Sequence, residues 1–344
     1  MAIQVIRMDS NENPLGPSPM AVEAARRALA ESNRYPDGAS TRLRQRLAGH
    51  LNVPPENLVF GNGSTELILL AGQAFLGESD EGITPAVAFP MYAMAVREAG
   101  ARVVEVPLRE YIIDLEAMAA AVTPRTRLLY TANPNNPTGT CFTAAAFENF
   151  LGRISPHVLV VLDEAYFDYA NRPGYSRSLE WVAEGRNLLV LRTFSKVYGL
   201  AGFRIGYGIA RPEIIAAFDR VRAPFNTSVT AQAAALAALD DREHVRRSLE
   251  TNRAGMAQLA RGLERIGVPF VPSAGNFILV RLGVDGQAVA EAMLSLGVQV
   301  RPMAWMGFPK AIRVTAGLAG ENELFLAALA QALDGVPGAR IVST

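Results

Sequence analysis

Residues 158–169 read VLVVLDEAYFDY, an unbroken run of five apolar residues ending at an acidic pair. A strand with one wet face would alternate apolar and polar residues. A short continuous run instead suits a parallel strand covered by helices on both faces. Asp163 then stands at the carboxyl end of that strand, where open parallel sheets hold their ligands.

The pattern repeats on both sides of this stretch. NLVF (57–60) leads into GNGSTELILLAGQAF (61–75), and ARVVEV (101–106) reads as another strand. RLLYT (127–131) leads into ANPNNPTG (132–139), and NLLVL (187–191) leads into RTFSK (192–196). This alternation of strand, loop and helix predicts a doubly wound α/β domain with a mostly parallel sheet sandwiched by helices. Upstream, PSPMAVEAARRALAES (17–32) predicts a helix capped by Ser18 with Pro19 in its first turn. ASTRLRQRLAGHL (39–51) predicts a second, with Leu43, Leu47 and Leu51 on one face. Beyond about residue 235, helical stretches precede the strand candidates NFILVRL (276–282), VQVRPM (298–303) and AIRVTAG (311–317), the mark of a smaller α+β unit. The expected organisation is an arm and first helix over 1–30, a large α/β domain over 31–234 and a small C-terminal α+β domain over 235–344.

Composition narrows the partners. Of 344 residues half are hydrophobic, and 33 Lys+Arg balance 33 Asp+Glu. No cationic field is present to draw nucleic acid or acidic lipid, so small-molecule partners are expected. The single cysteine, Cys141, allows no intrachain disulfide, which fits a reducing compartment. The N-terminus lacks the apolar core of a signal peptide, and the apolar stretches are too short to span a bilayer, so the cytoplasm is expected. The three histidines lie far apart without metal-ligand spacing, and no metal is expected.

Polar residues gather at the ends of the apolar strands. Gly63, Ser64 and Thr65 open a helix whose free N–H groups can bind an anion, or simply form an ordinary capped turn. Asp163 can cap its own turn or face a cationic ring nitrogen. Asn136, in a Pro/Gly loop, can donate to a ring substituent. Lys196 can reach solvent like most lysines. Alternatively, it can bond covalently to a carbonyl, for which burial and a nearby cation such as Arg204 would lower its pKa. Together, Ser195 and Arg204 suit a phosphate, Lys196 an aldehyde and Asp163 a pyridinium. One small molecule carries all three: pyridoxal 5′-phosphate (PLP).

NPNNPTG, DEAY and SKVYGLAGFRIGY occur in this order, and on them the chain resembles the fold-type I PLP enzymes, the class I and II aminotransferases. NENPLGPSP, RYPDG, FPMYAM and IRVTAG make it most similar to the histidinol-phosphate aminotransferases among them. The resemblance implies an aspartate aminotransferase-like fold. It implies that Lys196 is the Schiff-base lysine and proton shuttle, that Asp163 pairs with the pyridine nitrogen, and that Asn136 and Tyr166 bond the phenolic oxygen. It further implies that Phe89 stacks on the ring, and that Gly63, Ser64, Thr65, Ser195 and Arg204 surround the phosphate. Tyr35 would reach that phosphate from the neighbouring subunit, making a homodimer. Arg313 would hold the substrate's terminal anion, with Arg301 a second anion contact and Asn13 a substrate-side contact. Thr65 stands where histidinol-phosphate enzymes often carry aspartate. The implied reaction moves an amino group from a donor, L-histidinol phosphate first among candidates, to a 2-oxo acid such as 2-oxoglutarate. Aromatic or other amino-acid aminotransferases and a threonine-phosphate type of decarboxylase share the pattern. A ligand sensor would need a DNA-binding extension, and a nicotinamide dehydrogenase a third glycine that GNGSTE lacks.

Overall fold

The computed structural model describes residues 5–170 and 173–335; the extremes of the expected outer segments, 1–4 and 336–344, lie outside the described residues. The larger half is built on seven strands: β1 (Leu58–Gly61), β2 (Glu81–Pro85), β3 (Arg102–Val106), β4 (Thr126–Ala132), β5 (Leu159–Asp163), β6 (Leu188–Thr193) and β7 (Gly206–Ile209). Their order across the sheet is β1-β7-β6-β5-β4-β2-β3. All neighbours are parallel except at β7, which runs antiparallel to both β1 and β6. β5 and β6 are buried along their whole length, as their continuous apolar runs demand. β2 and β7 have no counterpart in the sequence reading. Their sequences, EGITP and GYGI, carry glycine, proline and charge where strands usually carry β-branched residues.

Helix α1 (Pro19–Ala28) starts as expected, with the Ser18 side chain accepting from the N–H of Ala21 and proline in the first turn. Helix α2 (Thr41–Leu51) buries Leu43 and Leu47. Helix α3 (Gly63–Phe75) follows β1 directly, and α4 (Met91–Glu98) follows β2.

A second, antiparallel sheet contains β8 (Phe270–Val271), β9 (Phe277–Arg281), β10 (Arg301–Pro302) and β11 (Ala311–Thr315) in the order β8-β9-β11-β10. Each half has its own apolar core. The core changes hands inside the helix Arg242–Arg265, whose Val245 and Leu249 pack on the larger core while Leu259 and Leu263 belong to the smaller. Residue 235 therefore is not where the cores part: Ala234, Ala235 and Ala238 all pack in the larger one. The N-terminal strap also crosses over. Ile6–Arg7 pairs in parallel with Val298–Gln299, and Met8 sits in the smaller core before α1 joins the larger. Residues 9–12 thus run between the two halves.

Candidate active site

A cavity of about 440 Å³ lies where the strap, the small sheet and the carboxyl ends of β4, β5 and β6 meet. Asp163, the last residue of β5, is buried against it. Its Oδ2 accepts from the Tyr92 hydroxyl at 2.8 Å, and its Oδ1 accepts from the Ala165 N–H at 3.0 Å. Burial pushes the carboxyl up to about 6, opposed by these two hydrogen bonds. Tyr92 comes from α4, with its ring stacked on Tyr130 at 5.4 Å. Burial lifts its phenol well above the ordinary range, so it remains a donor to the carboxylate.

Lys196 follows β6, and its Nζ donates to the Asn11 carbonyl at 3.0 Å. Burial first, and the Arg313 cation next, bring the amine down to about 8. Arg204, the cation that sequence suggested, acts in the same direction but less than Arg313. Tyr166 accepts at its hydroxyl from Asn11 Nδ2 at 2.9 Å, which leaves its own proton available. The ammonium lies 5.4 Å from the centre of that ring.

One end of the cavity is shaped for an anion. Helix α3 opens at Gly63 with φ +71°, and the Asn62 side chain does not cap it. A Cβ on Gly63 would stand 2.5 Å from Arg204 Nη2, and one on Gly206 2.4 Å from the Ser64 nitrogen. Only glycines let the first turn of α3, β7 and the guanidinium come together here. Arg204 is braced by the carbonyls of Ala201 and Asn62, at 2.9 and 3.4 Å. Thr193 donates to Ser195 Oγ at 3.0 Å, freeing the Ser195 proton for the cavity. Ser64 and Thr65 line the same end. Helix N–H groups, three hydroxyls and a cation suit a phosphate.

The opposite end belongs to the small sheet. Arg313 is buried on β11, with Nη1 donating to Asn136 Oδ1 and Nη2 to the Asp9 carbonyl, both at 2.6 Å. Its Nε has no partner among the described residues. With Oδ1 taken, the Asn136 amide directs its N–H groups elsewhere, and Asn136 lines the cavity. Arg301 sits opposite Arg313 in the β10–β11 register, half-exposed, and donates to Asp9 Oδ2 at 2.7 Å. Phe89 lines the cavity and meets Tyr92 edge-on at 5.9 Å.

Two expected site residues do not line this chain's own cavity, Asn13 and Tyr35, the latter expected at the neighbouring subunit's site. Asn13 does not reach the cavity. Its Nδ2 donates to the Val197 carbonyl and Ser248 Oγ, and its Oδ1 accepts from the Leu15 N–H, so its amide is engaged in joining the strap to the larger half. Asn11 lines the cavity instead, in a left-handed conformation with φ +55°. Tyr35 is 83% exposed and stacks on Phe225 at 4.8 Å, away from the cavity of its own chain. Sequence reasoning also missed Tyr92 and Trp305, both lining the cavity. The signal for Tyr92 was its place one helical turn after Phe89. Among the described residues, no group of three or more His, Cys, Asp or Glu could hold a metal ion.

A buried acid, a deprotonatable amine and an anion cradle around one cavity are the donor set that PLP requires, and they fit it. Comparison with known proteins agrees. The profile of the aminotransferase class I and II family matches residues 3–332. A histidinol-phosphate aminotransferase of Cupriavidus pinatubonensis is 48% identical, over 96% of this chain and 88% of its own. The crystal structure of histidinol-phosphate aminotransferase from Sinorhizobium meliloti in complex with pyridoxal-5′-phosphate superposes with TM-score 0.90 and 31% identity, covering 96% of this chain and 91% of that one. L-threonine-O-3-phosphate decarboxylase from Porphyromonas gingivalis shares the fold, at TM-score 0.84 and 24% identity, over 96% of this chain and all of that one.

Proposed function

This chain belongs to the class I and II aminotransferases, and we propose that it is a PLP-dependent transaminase moving an amino group from L-histidinol phosphate to 2-oxoglutarate. The observation that carries the reading is Asp163 and Lys196 facing one cavity, each with its charge disfavoured by burial. The 48% identity to a histidinol-phosphate aminotransferase supports the donor. The reaction belongs in the cytoplasm; among the described residues no helix is long and apolar enough to cross a membrane.

When bound, PLP supplies an aldehyde that condenses with primary amines and a ring that withdraws electrons from the carbon bearing the amine. The protein's part follows from its side chains. Lys196, its amine brought down to about 8, would hold the cofactor and is placed to serve as the base for the proton on the substrate's Cα. Asp163 keeps the ring nitrogen protonated, and Tyr92 holds that carboxylate in place. Asn136 and Tyr166 donate to the ring oxygen, and Phe89 covers a ring face. Gly63, Ser64, Thr65, Ser195 and Arg204 receive the phosphate. Arg313 grips the substrate's anion, with Arg301 beside it. Tyr35, exposed on its own chain, reaches the partner's cofactor phosphate in a homodimer.

The test combines spectrum and product. Purified protein shows a visible absorption band that Lys196→Ala abolishes, and histidinol phosphate with 2-oxoglutarate yields glutamate without carbon dioxide. Colourless protein that takes up no PLP refutes the cofactor. Carbon dioxide released from L-threonine O-3-phosphate, with no glutamate formed from histidinol phosphate and 2-oxoglutarate, refutes transamination in favour of decarboxylation.

A further inference from the structure

We propose that Trp305 is the wall that receives the ring of the amino donor's side chain, so that it selects the donor and not the acceptor. This rests on the histidinol-phosphate reading above. Four aromatic residues line the cavity: Phe89, Tyr92, Tyr166 and Trp305. Tyr92 is bound to Asp163, Tyr166 to Asn11, and Phe89 packs edge-on against Tyr92. Trp305 is the one left without a task. Its indole N–H donates to the Pro302 carbonyl at 3.1 Å, within its own turn. The polar atom is thereby satisfied, and what remains for a ligand is an aromatic surface. That surface is 61% exposed, while Trp181, the other tryptophan, is 1% exposed in the larger core. A large exposed aromatic at a cavity rim is the informative exception to burial.

The ring is also held in position. Trp305 sits in the short turn Ala304–Met306, closed by the Gly307 N–H donating to the Ala304 carbonyl at 3.0 Å. Its neighbour Met306 is buried with Met303 and packs with Val87. Arg301 lies four residues earlier on the same segment and lines the same cavity. One rigid piece thus carries an anion anchor and an aromatic wall at fixed spacing. A donor whose phosphate rests on the two arginines and whose amine faces Lys196 has one substituent left to place, its planar imidazole. 2-Oxoglutarate has no ring and uses the arginines without Trp305.

The holoenzyme and its Trp305→Ala and Trp305→Phe variants are compared on histidinol phosphate, on alaninol phosphate (the same amine and phosphate with no ring) and on 2-oxoglutarate. Trp305→Ala is expected to raise KM for histidinol phosphate roughly tenfold, with KM for the two ringless substrates within about twofold of wild type. Trp305→Phe restores most of the loss. Independently of turnover, histidinol phosphate quenches tryptophan emission in wild type and not in Trp305→Phe, and alaninol phosphate quenches neither. An equal loss on alaninol phosphate, or quenching that survives in Trp305→Phe, overturns the proposal. Wild-type enzyme that does not turn over histidinol phosphate refutes the donor reading instead. The same comparison between L-phenylalanine and L-alanine then decides whether Trp305 receives a ring.

Discussion

Asp163 ends a strand of the seven-stranded sheet, and Ser195 and Gly63 closely follow two others; Tyr92 and Thr193 from that same half hydrogen-bond the first two, and Arg204 lies close against the third. Arg313 and Arg301 come from the four-stranded sheet and are tied to the strap through Asp9. The first end of the cavity is pre-ordered and, apart from the exposed Arg204, largely buried. The second is graded, from buried Arg313 through half-exposed Arg301 to exposed Trp305. A site that keeps one cofactor and exchanges two substrates needs this asymmetry. The constant group sits in a rigid shell, and the exchanging groups meet side chains with room to adjust. Substitutions at the two ends should therefore differ in kind as well as in size.

The largest effect is expected at Asp163. Asp163→Asn keeps the shape and the acceptor for Tyr92 but removes the charge that holds a protonated ring nitrogen, and kcat/KM should fall on the order of 10²–10³-fold. Stability should move the other way. The folded-state pKa is raised from 3.8 to about 6, so the protonated acid favours folding. That contribution is fully present below pH 3.8 and is lost as pH rises through about 6. At pH 7.5 the PLP-free variant should exceed PLP-free wild type by up to about 3 kcal/mol, a gap that closes near pH 4. Denaturant unfolding at the two pH values measures it. A variant less stable than wild type at pH 7.5 would mean that the acid is not strained when the cofactor is absent.

At the other end, Arg313→Ala should lower kcat/KM about a hundredfold for phosphate-bearing donor and dicarboxylate acceptor alike, because it removes a buried cation from an anion's only fully enclosed partner. The absorption band of bound PLP should stay. Loss of the band together with activity would erase the contrast between the two ends.

Tyr92→Phe probes how far the rigid end depends on its brace. The hydroxyl's hydrogen bond favours the ionised carboxylate. Without it, the acid limb of the kcat/KM profile should move to higher pH, and the optimum rate should fall roughly tenfold, the scale of one hydrogen bond to a charged group. An unmoved limb with equal loss at every pH would reduce Tyr92 to packing.

The same asymmetry decided what could be read from the sequence. The buried strands announced themselves as continuous apolar runs, and Asp163 and Lys196 could be located because the first directly follows one run and the second closes the short RTFSK stretch after another. β2 and β7 were silent because glycine and proline, demanded by close packing, remove the strand signal. Around the small sheet, contacts are made at long separation: Arg313 to Asn136, Asn11 to Tyr166, Asp9 to Arg301. Asn11 and Asn13 look equivalent in DSNENP. Only the left-handed turn at Asn11 sends one toward Tyr166 and leaves the other to Val197 and Ser248. No local pattern encodes that choice.

Arg301 should give the smallest effect, and it is the sharpest test of the graded end. Its side chain is 40% exposed, and its ion pair with Asp9 competes with water, so its attraction for a substrate anion is screened. Arg301→Gln should raise KM for both substrates by about threefold to fivefold with kcat unchanged, in line with an ion pair worth up to about 1 kcal/mol. The stronger sign is salt. Between low and high ionic strength, KM of wild type should rise more than KM of the variant, since wild type has the part-exposed Arg301 cation beside the substrate to screen in addition to the groups both proteins share. Arg313, being enclosed, supplies an attraction that salt barely reaches, and it remains in both proteins. If the variant keeps the full salt response, the screened cation is another residue. If kcat falls as steeply as it does in Arg313→Ala, the two arginines act as one rigid clamp and the gradient between them has no functional meaning.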